Sequence, residues 1–331
     1  MAPSSPAPAG PRPAAPRTAL IVTNPRAGTN HPGILADITD QCCARLDYVD
    51  THVTTGRADA TAVVRDALAG RRAAVPDLVV AVGGDGTVRE VIEGMTAGDR
   101  PSPAALVIVP AGTGNSGYRM VWGERPWQDA LHIAINTPAH GARLHRLDLA
   151  RLTGTDELVF LGACSGIIAQ ALETARGIRL TGPARYARAL AETATTFKPY
   201  PGRVTVDGTV LYEGDTVFAN VGGGRIRGGR YLVLPRSLPD DGLLDVCVVG
   251  GDMPPGRVAD LTLHGRHLDH PATRYGRGRT IAVERLDGEP LVFEYDGELQ
   301  GARGQSMTLE VLPGRIPAWI PAAEADRTRA A

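Results

Sequence analysis

Three short apolar runs in the first third of the chain each end in a glycine-rich loop. ALIVT at 19–23 runs into NPRAG at 24–28, DLVVAV at 77–82 into GGDGT at 83–87, and ALVIVP at 105–110 into PAGTGN at 110–115. Apolar runs of this length without polar alternation predict strands buried on both faces, the setting of a parallel sheet. Helix-like stretches separate them, around 34–46, in ADATAVVRDALAG ending at Gly70, and in PWQDALHIAI; DYVDTHV at 47–53 adds another strand. Strand–helix alternation with glycine loops at successive strand ends predicts an open α/β sheet, whose ligands bind at the carboxyl ends of its strands.

After about Leu144 the pattern changes. GRVTVDGTVLYEG places Asp207 and Gly208 between two alternating runs, a hairpin signal. DTVFANV, RYLVLP, LLDVCVV, RTIAVER, PLVFEY and MTLEVL follow as strands, interrupted by helix-like segments at 183–196 and 258–264. The second half therefore reads as a mostly antiparallel β domain, and a cleft between an α/β and a β domain suits a two-substrate site.

Composition narrows the function classes. Net charge is −1, which excludes the basic footprint of a nucleic-acid partner. The four cysteines form no C-x-x-C pair and read as buried thiols of a reducing compartment. The first sixteen residues carry six prolines and no apolar core, which predicts a disordered tail rather than a signal peptide. No apolar run approaches the roughly 18 residues of a membrane span, so a cytoplasmic protein with at most peripheral membrane contact is expected. Lys198, in TTFKPYPG, is the only lysine. That excludes a P-loop and a protein-kinase phosphate lysine, so any ATP site must use other groups.

Glycine lets backbone approach a phosphate, and N–H groups at a helix start bind its oxygens. One such loop is often only a turn; three on one sheet edge are harder to explain that way. Asp85 in GGDGT would repel phosphates unless a cation lay between them, which implies magnesium; the alternative is that it caps the helix VREVIEGM that follows. Gly112, Gly114 and Gly117 also satisfy G-x-G-x-x-G, so an NAD-dependent oxidoreductase is a rival. The acid that this fingerprint wants about 20 residues on is missing from a strand end, since Asp129 falls in a helical stretch and Asp148 lies beyond.

NPRAG, GGDGT and PAGTGN, in that order and spacing, resemble the catalytic domain shared by diacylglycerol, sphingosine and ceramide kinases and bacterial lipid kinases. The resemblance continues through FANVGGGRIRGGRYLVLPRSLPDDGLLDV and EYDGELQG, and so spans about residues 18–321. It implies an N-terminal α/β ATP-binding domain and an antiparallel β-sandwich acceptor domain with the active site in the cleft between them. The expected divisions are a tail at 1–17, the ATP domain at 18–143, the acceptor domain at 144–312 and a C-terminal segment at 313–331 that returns to the first domain. By similarity ATP would meet Asn24, Pro25, Arg26, Ala27, Gly28, Thr54, Gly83, Gly84, Asp85, Gly86, Thr87, Val88, Arg89, Gly112, Thr113, Gly114 and Asn115. Glu298 matches the proton acceptor, and Asp85 and Asp148 match acids that hold a catalytic magnesium through water. A structural magnesium is implied at the Asp241 carboxylate with the carbonyls of Leu238 and Leu243.

One departure stands out: the family continues GTGN with Asp-Phe-Ala-Arg, where this chain has Ser116, Gly117, Tyr118 and Arg119. The missing acid opens three readings: a kinase of a diacylglycerol-like lipid, a kinase of a small and anionic hydroxylated metabolite, and a non-catalytic lipid- or nucleotide-binding relative. Arg225, Arg227 and Arg230 are the candidate contacts for an anionic acceptor, against the plainer reading of a solvated strand edge. An NAD kinase is disfavoured because PAGTGN and LPDDGLLD match the lipid-kinase side. The expected partners are ATP, magnesium and a hydroxyl-bearing acceptor, with a homodimer left open.

Overall fold

The computed structural model describes residues 15–98, 101–136, 142–180, 182–300 and 304–321. Residues 1–14 of the expected tail and 322–331 of the expected C-terminal segment lie outside these.

Strands β1 (Thr18–Thr23), β2 (Tyr48–Val53), β3 (Leu78–Gly83) and β4 (Ala105–Pro110) pair in parallel in the spatial order β2-β1-β3-β4. Side chains alternate across a strand, so each run feeds two cores. Leu20, Val22, Val79, Ala81, Leu106 and Ile108 fill one face with helices α2 (Asp59–Leu68), α3 (Asp85–Met95) and α4 (Ser116–Trp122). Ala19, Ile21, Leu78, Val80, Val82, Val107 and Val109 fill the other, with α1 (Pro32–Cys43) and α5 (Trp127–Ile135). Both faces are dry, which is why these strands show no polar alternation.

The second half is an antiparallel assembly. It comprises β5 (Ala142–Leu152), β6 (Leu158–Val159), β7 (Ala163–Gly166), β8 (Tyr200–Val206), β9 (Thr209–Gly222), β10 (Ile226–Arg227), β11 (Tyr231–Leu232), β12 (Leu244–Gly250), β13 (Thr273–Gly278), β14 (Thr280–Arg285), β15 (Phe293–Tyr295), β16 (Glu298–Leu299) and β17 (Ser306–Pro321). Asp207 and Gly208, both at positive φ (47° and 82°), turn β8 into β9 with Val206 opposite Thr209, as the Asp-Gly signal predicts. Helices α6 (Ile167–Arg176), α7 (Gly182–Ala194) and α8 (Val258–Leu263) cover one face through Ile167, Ala171, Ala189, Leu190 and Val258.

β17 joins the halves. It starts antiparallel to β14, runs the length of β5, and ends parallel to β4 with Ala318 opposite Leu106. Its alternate residues Ile316, Ala318 and Ile320 enter one core of the α/β half, and Trp319 enters the other.

Two local readings need correction. RYLVLP is a strand only at Tyr231–Leu232; Leu234 N–H then bonds to the Arg225 carbonyl, and Val233 and Leu234 are fully buried under α7 and α8. α6 goes unread because Ile167 and Ile168 follow β7 without a break, so a helix start has the composition of a strand.

Trp319 is 4% exposed and packs in the cluster of Val107, Val109 and Leu131. Trp319→Ala is expected to cost about 3–5 kcal/mol, seen as a lower urea midpoint at similar m-value. A loss below about 1 kcal/mol would show that the end of β17 does not close that core.

Candidate active site

The three glycine loops are locked to one another before any ligand arrives. Asn24 Nδ2 donates to Thr87 Oγ1 (3.1 Å), and Thr29 N–H donates to the Ala111 carbonyl (2.9 Å). A Cβ on Gly112 would lie 2.3 Å from Gly84 Cα, so the second and third loops cross backbone to backbone where no side chain fits. Asn115, at φ 52°, accepts the Gly112 N–H through Oδ1 (2.9 Å) and donates through Nδ2 to its carbonyl (2.8 Å). That is a side chain doing the work of a turn.

Asp85 is the first residue of α3, whose cap is Gly84. Its carboxylate leaves its own helix and accepts the N–H groups of Ser116 (3.0 Å) and Gly117 (2.9 Å), the open end of α4. The expected alternative role was capping of its own helix; the structure shows a cap, but on the next loop's helix. Burial pushes the Asp85 carboxyl upward, opposed by those two N–H groups and by the field of Arg227. Each oxygen accepts one N–H and keeps a lone pair for a hydrated cation, so Asp85 fits a magnesium held through water.

Two cavities meet at this point. The first, about 440 Å³, is walled by Asn24, Arg26, Gly28, Thr54, Gly84, Gly86, Thr87 and Arg89. The second, about 320 Å³, has Asp85, Thr113, Gly114 and Ser116 at one end and an apolar wall from Ile168, Ala171 and Leu172 of α6 and Tyr186 and Leu190 of α7. Glu298 lines both. Its Oε1 accepts from Arg89 Nη2 (2.8 Å) and its Oε2 from Arg57 Nη2 (3.4 Å). Arg89 also bonds Glu93 (2.9 Å) and lies over the Tyr295 ring. Arg57 carries no sequence signal beyond the TGR turn after β2, and the sequence reading passes over it.

The floor of the second cavity is a buried polar group. Asp296, at φ 48°, accepts the N–H groups of Phe160 (2.8 Å), Leu161 (2.7 Å) and Gly162 (3.2 Å), and so fastens the DGE turn beneath the cleft. Glu294 is 2% exposed and accepts the Gly297 N–H (2.8 Å); burial pushes its carboxyl up to about 7. The sequence shows Asp296 only as part of the DGE motif and gives no sign of Glu294 or of the burial of either.

Other expected site residues fall elsewhere. Val88 is 1% exposed in the α/β core, one step round α3 from the loop, and does not face the nucleotide cavity. Asp148 does not share partners with Asp85: its oxygens accept Gly242 N–H and Gly314 N–H (2.7 Å each), and it lines neither cavity. The Asp241 carboxylate, expected to hold a structural cation with the Leu238 and Leu243 carbonyls, is paired with the Arg277 guanidinium and accepts the Leu243 N–H. A cation at this turn would have to displace the Arg277 guanidinium, which Asp241 shares with Asp245. The arginine cluster is dispersed: Arg225 donates to the Ser237 carbonyl, Arg230 is exposed beside Tyr231, and only Arg227 lines the cavity. At the departure, Ser116 Oγ accepts the Gly229 N–H (3.1 Å) and Arg119 donates to the Gly229 carbonyl (2.7 Å), so α4 is stitched to the Gly228–Gly229 turn of the second half.

Comparison with known proteins agrees with this architecture. The family model for the Diacylglycerol kinase catalytic domain matches residues 18–147, and that for the YegS C-terminal NAD kinase beta sandwich-like domain matches 162–318. A Pseudomonas fluorescens (strain Pf0-1) protein named "Probable lipid kinase YegS-like" is 28% identical over 270 residues, 80% of this chain and 81% of the relative. A diacylglycerol kinase of Mycobacterium tuberculosis (strain H37Rv) is 26% identical over 275 residues, covering 80% and 84%. The crystal structure of a diacylglycerol kinase from Bacillus anthracis strain Sterne superposes with a TM-score of 0.65 over 92% of this chain and 96% of that one at 22% identity, a likeness of fold.

The raised Glu294 carboxyl makes stability depend on pH. Its folded value near 7 exceeds its unfolded value of about 4.5, so the native state holds the proton more tightly. Its contribution is therefore intact below about pH 4.5 and lost as pH rises through 7. Glu294→Gln is expected to be neutral near pH 4.5 and to gain on wild type by up to about 3 kcal/mol by pH 8. Urea titrations at both pH values check this; a pH-independent difference would contradict the raised value.

Proposed function

We propose that this chain, which belongs to the diacylglycerol kinase catalytic-domain superfamily of bacterial lipid-kinase-like proteins, transfers the γ-phosphoryl group of ATP to the hydroxyl of a diacylglycerol-like lipid. The observation that carries this reading is the position of Glu298. It is the acid common to a polar, glycine-lined cavity and an apolar-walled one. A nucleotide in the first and a lipid alcohol in the second would meet at its carboxylate.

Each group has a role that its surroundings support. Backbone N–H groups of the crossed loops, with Arg89 and Arg57, offer the donors and positive charge that phosphates need in a chain without a phosphate lysine. Asp85 would hold magnesium through water, and the ion, when bound, neutralises charge on the transferring phosphoryl group. Glu298, held by Arg89 and Arg57 and lining both cavities, would accept the proton of the attacking hydroxyl. The apolar wall from α6 and α7 shelters the acyl part, and water is kept from the reacting hydroxyl. Among the described residues no helix is long and apolar enough to cross a membrane. The anionic-metabolite reading keeps the departure at Ser116 but loses one support, because, of Arg225, Arg227 and Arg230, only Arg227 lines the second cavity.

ADP release by the purified protein, screened against dioctanoylglycerol and water-soluble alcohols, tests the reading directly. Turnover is expected with the lipid alcohol; turnover confined to a soluble alcohol would overturn the lipid assignment. Glu298→Gln is expected to lower kcat by about 10²–10⁴-fold with calorimetric ATP affinity within a few-fold of wild type. Wild-type turnover in that variant would remove the proton-acceptor role. Asp85→Asn still offers an oxygen to α4, so its thermal midpoint should stay within a few degrees while the magnesium-dependent rate falls by at least about 10²-fold. A collapse of folding with unchanged activity per folded molecule would leave Asp85 a cap and nothing more.

A further inference from the structure

Arg227 is unusual in this molecule. It is 7% exposed, lines the apolar-walled cavity, and spends only one N–H on protein, from Nε to Asn220 Oδ1 (3.0 Å). Among the described residues, Nη1 and Nη2 have no hydrogen-bond partner. A buried guanidinium with two unpaired nitrogens costs several kcal/mol unless something occupies them when the site is in use. A Cβ on Gly162 would sit 2.3 Å from Nη2, so the guanidinium occupies space that only a glycine there leaves open.

The chemistry of the occupant follows from the charges around it. Glu294, Asp296 and Asp85 all line the same cavity and all feel the field of Arg227, although none forms an ion pair with it. Asp85 and Asp296, with Glu294 partly ionised near neutral pH, already offset the positive charge while the N–H groups remain free. An anionic ligand would be repelled by the acids; a neutral ligand with carbonyl oxygens would accept the free N–H groups without adding charge.

Resting on the kinase reading for the site, we propose that Arg227 is its specificity-determining residue: Nη1 and Nη2 donate to uncharged carbonyl oxygens of the acceptor beside the reacting hydroxyl. The cavity then selects an ester-bearing alcohol over an ether or plain long-chain alcohol and over an anionic lipid. Tyr186 and Leu190 of α7 and Ile168 of α6 cover the chains, while the guanidinium fixes the register of the polar part.

The test compares 1,2-dioctanoylglycerol with 1,2-di-O-octylglycerol, which keeps the hydroxyl and the chains but lacks the carbonyls. Wild type is expected to favour the ester about tenfold to a hundredfold in kcat/KM, the worth of charge-assisted hydrogen bonds. In Arg227→Met that preference should fall to near one, and Arg227→Lys should recover part of it, with circular-dichroism melting to verify folding. A merely structural arginine would lower both acceptors together. A wild-type preference near one overturns the proposal, as does a folded Arg227→Met that retains the ester preference; the wild-type arm needs no variant to fold. Lysophosphatidate competing as strongly as dioctanoylglycerol would overturn the neutral-ligand part. Equilibrium binding of ester and ether without nucleotide separates this inference from its premise. Tighter ester binding with no transfer to either lipid would sink the kinase reading and leave this one standing. Equal transfer to both would do the reverse.

Discussion

The Asp85 carboxylate sits at the N-terminal turn of one helix and closes the N-terminal turn of another. It accepts the N–H groups of Ser116 and Gly117 and so ties the second glycine loop to the third. Without it two amides at the start of α4 would lose their partner in a partly buried setting, at a cost of about 1–3 kcal/mol each. The same bond holds Gly112 against Gly84 at a distance that leaves no room for a Cβ. It also stations a carboxylate on the second cavity, next to Gly86, which lines both. Loop packing and helix capping thus converge on the side chain proposed to hold the cation.

The second half completes the site from below. Asp296 accepts three consecutive N–H groups from 160–162, an arrangement that makes the DGE turn rigid and aims Glu298 at the junction. Stitching between α4 and the Gly228–Gly229 turn, through Ser116 and Arg119, fixes the two halves at the same place. Ser116 thereby has a structural use where the family resemblance implies an acid. The crossing strand β17 supplies the remaining connection, so the cleft is bordered by one continuous hydrogen-bonded sheet.

Ion pairs and hydrogen bonds share the cleft unevenly. Glu298 is 43% exposed and satisfied by two arginines, whereas Arg227 is buried and largely unsatisfied. A protein pays for such a buried donor pair in stability, and sites of ligand contact are where such deficits persist. Glu294 adds a second deficit of the same kind, a fully buried carboxyl pushed to about 7. Both line the second cavity, and the first, proposed for the nucleotide, is built on the glycine loops.

The nucleotide side was legible in the sequence for that reason. Backbone function demands glycine at fixed places after apolar strands, and glycine and strand periodicity are local signals; NPRAG, GGDGT and PAGTGN announce themselves. The DGE turn and the strand-rich second half were legible through the resemblance that those motifs anchor. The acceptor side was not. Its wall comes from α6 and α7, whose Ile168, Leu172, Tyr186 and Leu190 look like any amphipathic helix face. Its floor joins Arg227 and Glu294, far apart in the chain, with Asp85 from the other half. Charge in a sequence carries no sign of burial, so Arg225, Arg227 and Arg230 looked like one cluster until packing separated them. Val88 and Asp148 fall outside both cavities for the same reason: which way a side chain faces depends on strands paired across the whole molecule. The amino-acid sequence by itself determined where phosphate can meet backbone; tertiary structure decided which polar side chains were left unpaired around the second substrate, because only packing removes the water that would otherwise satisfy them.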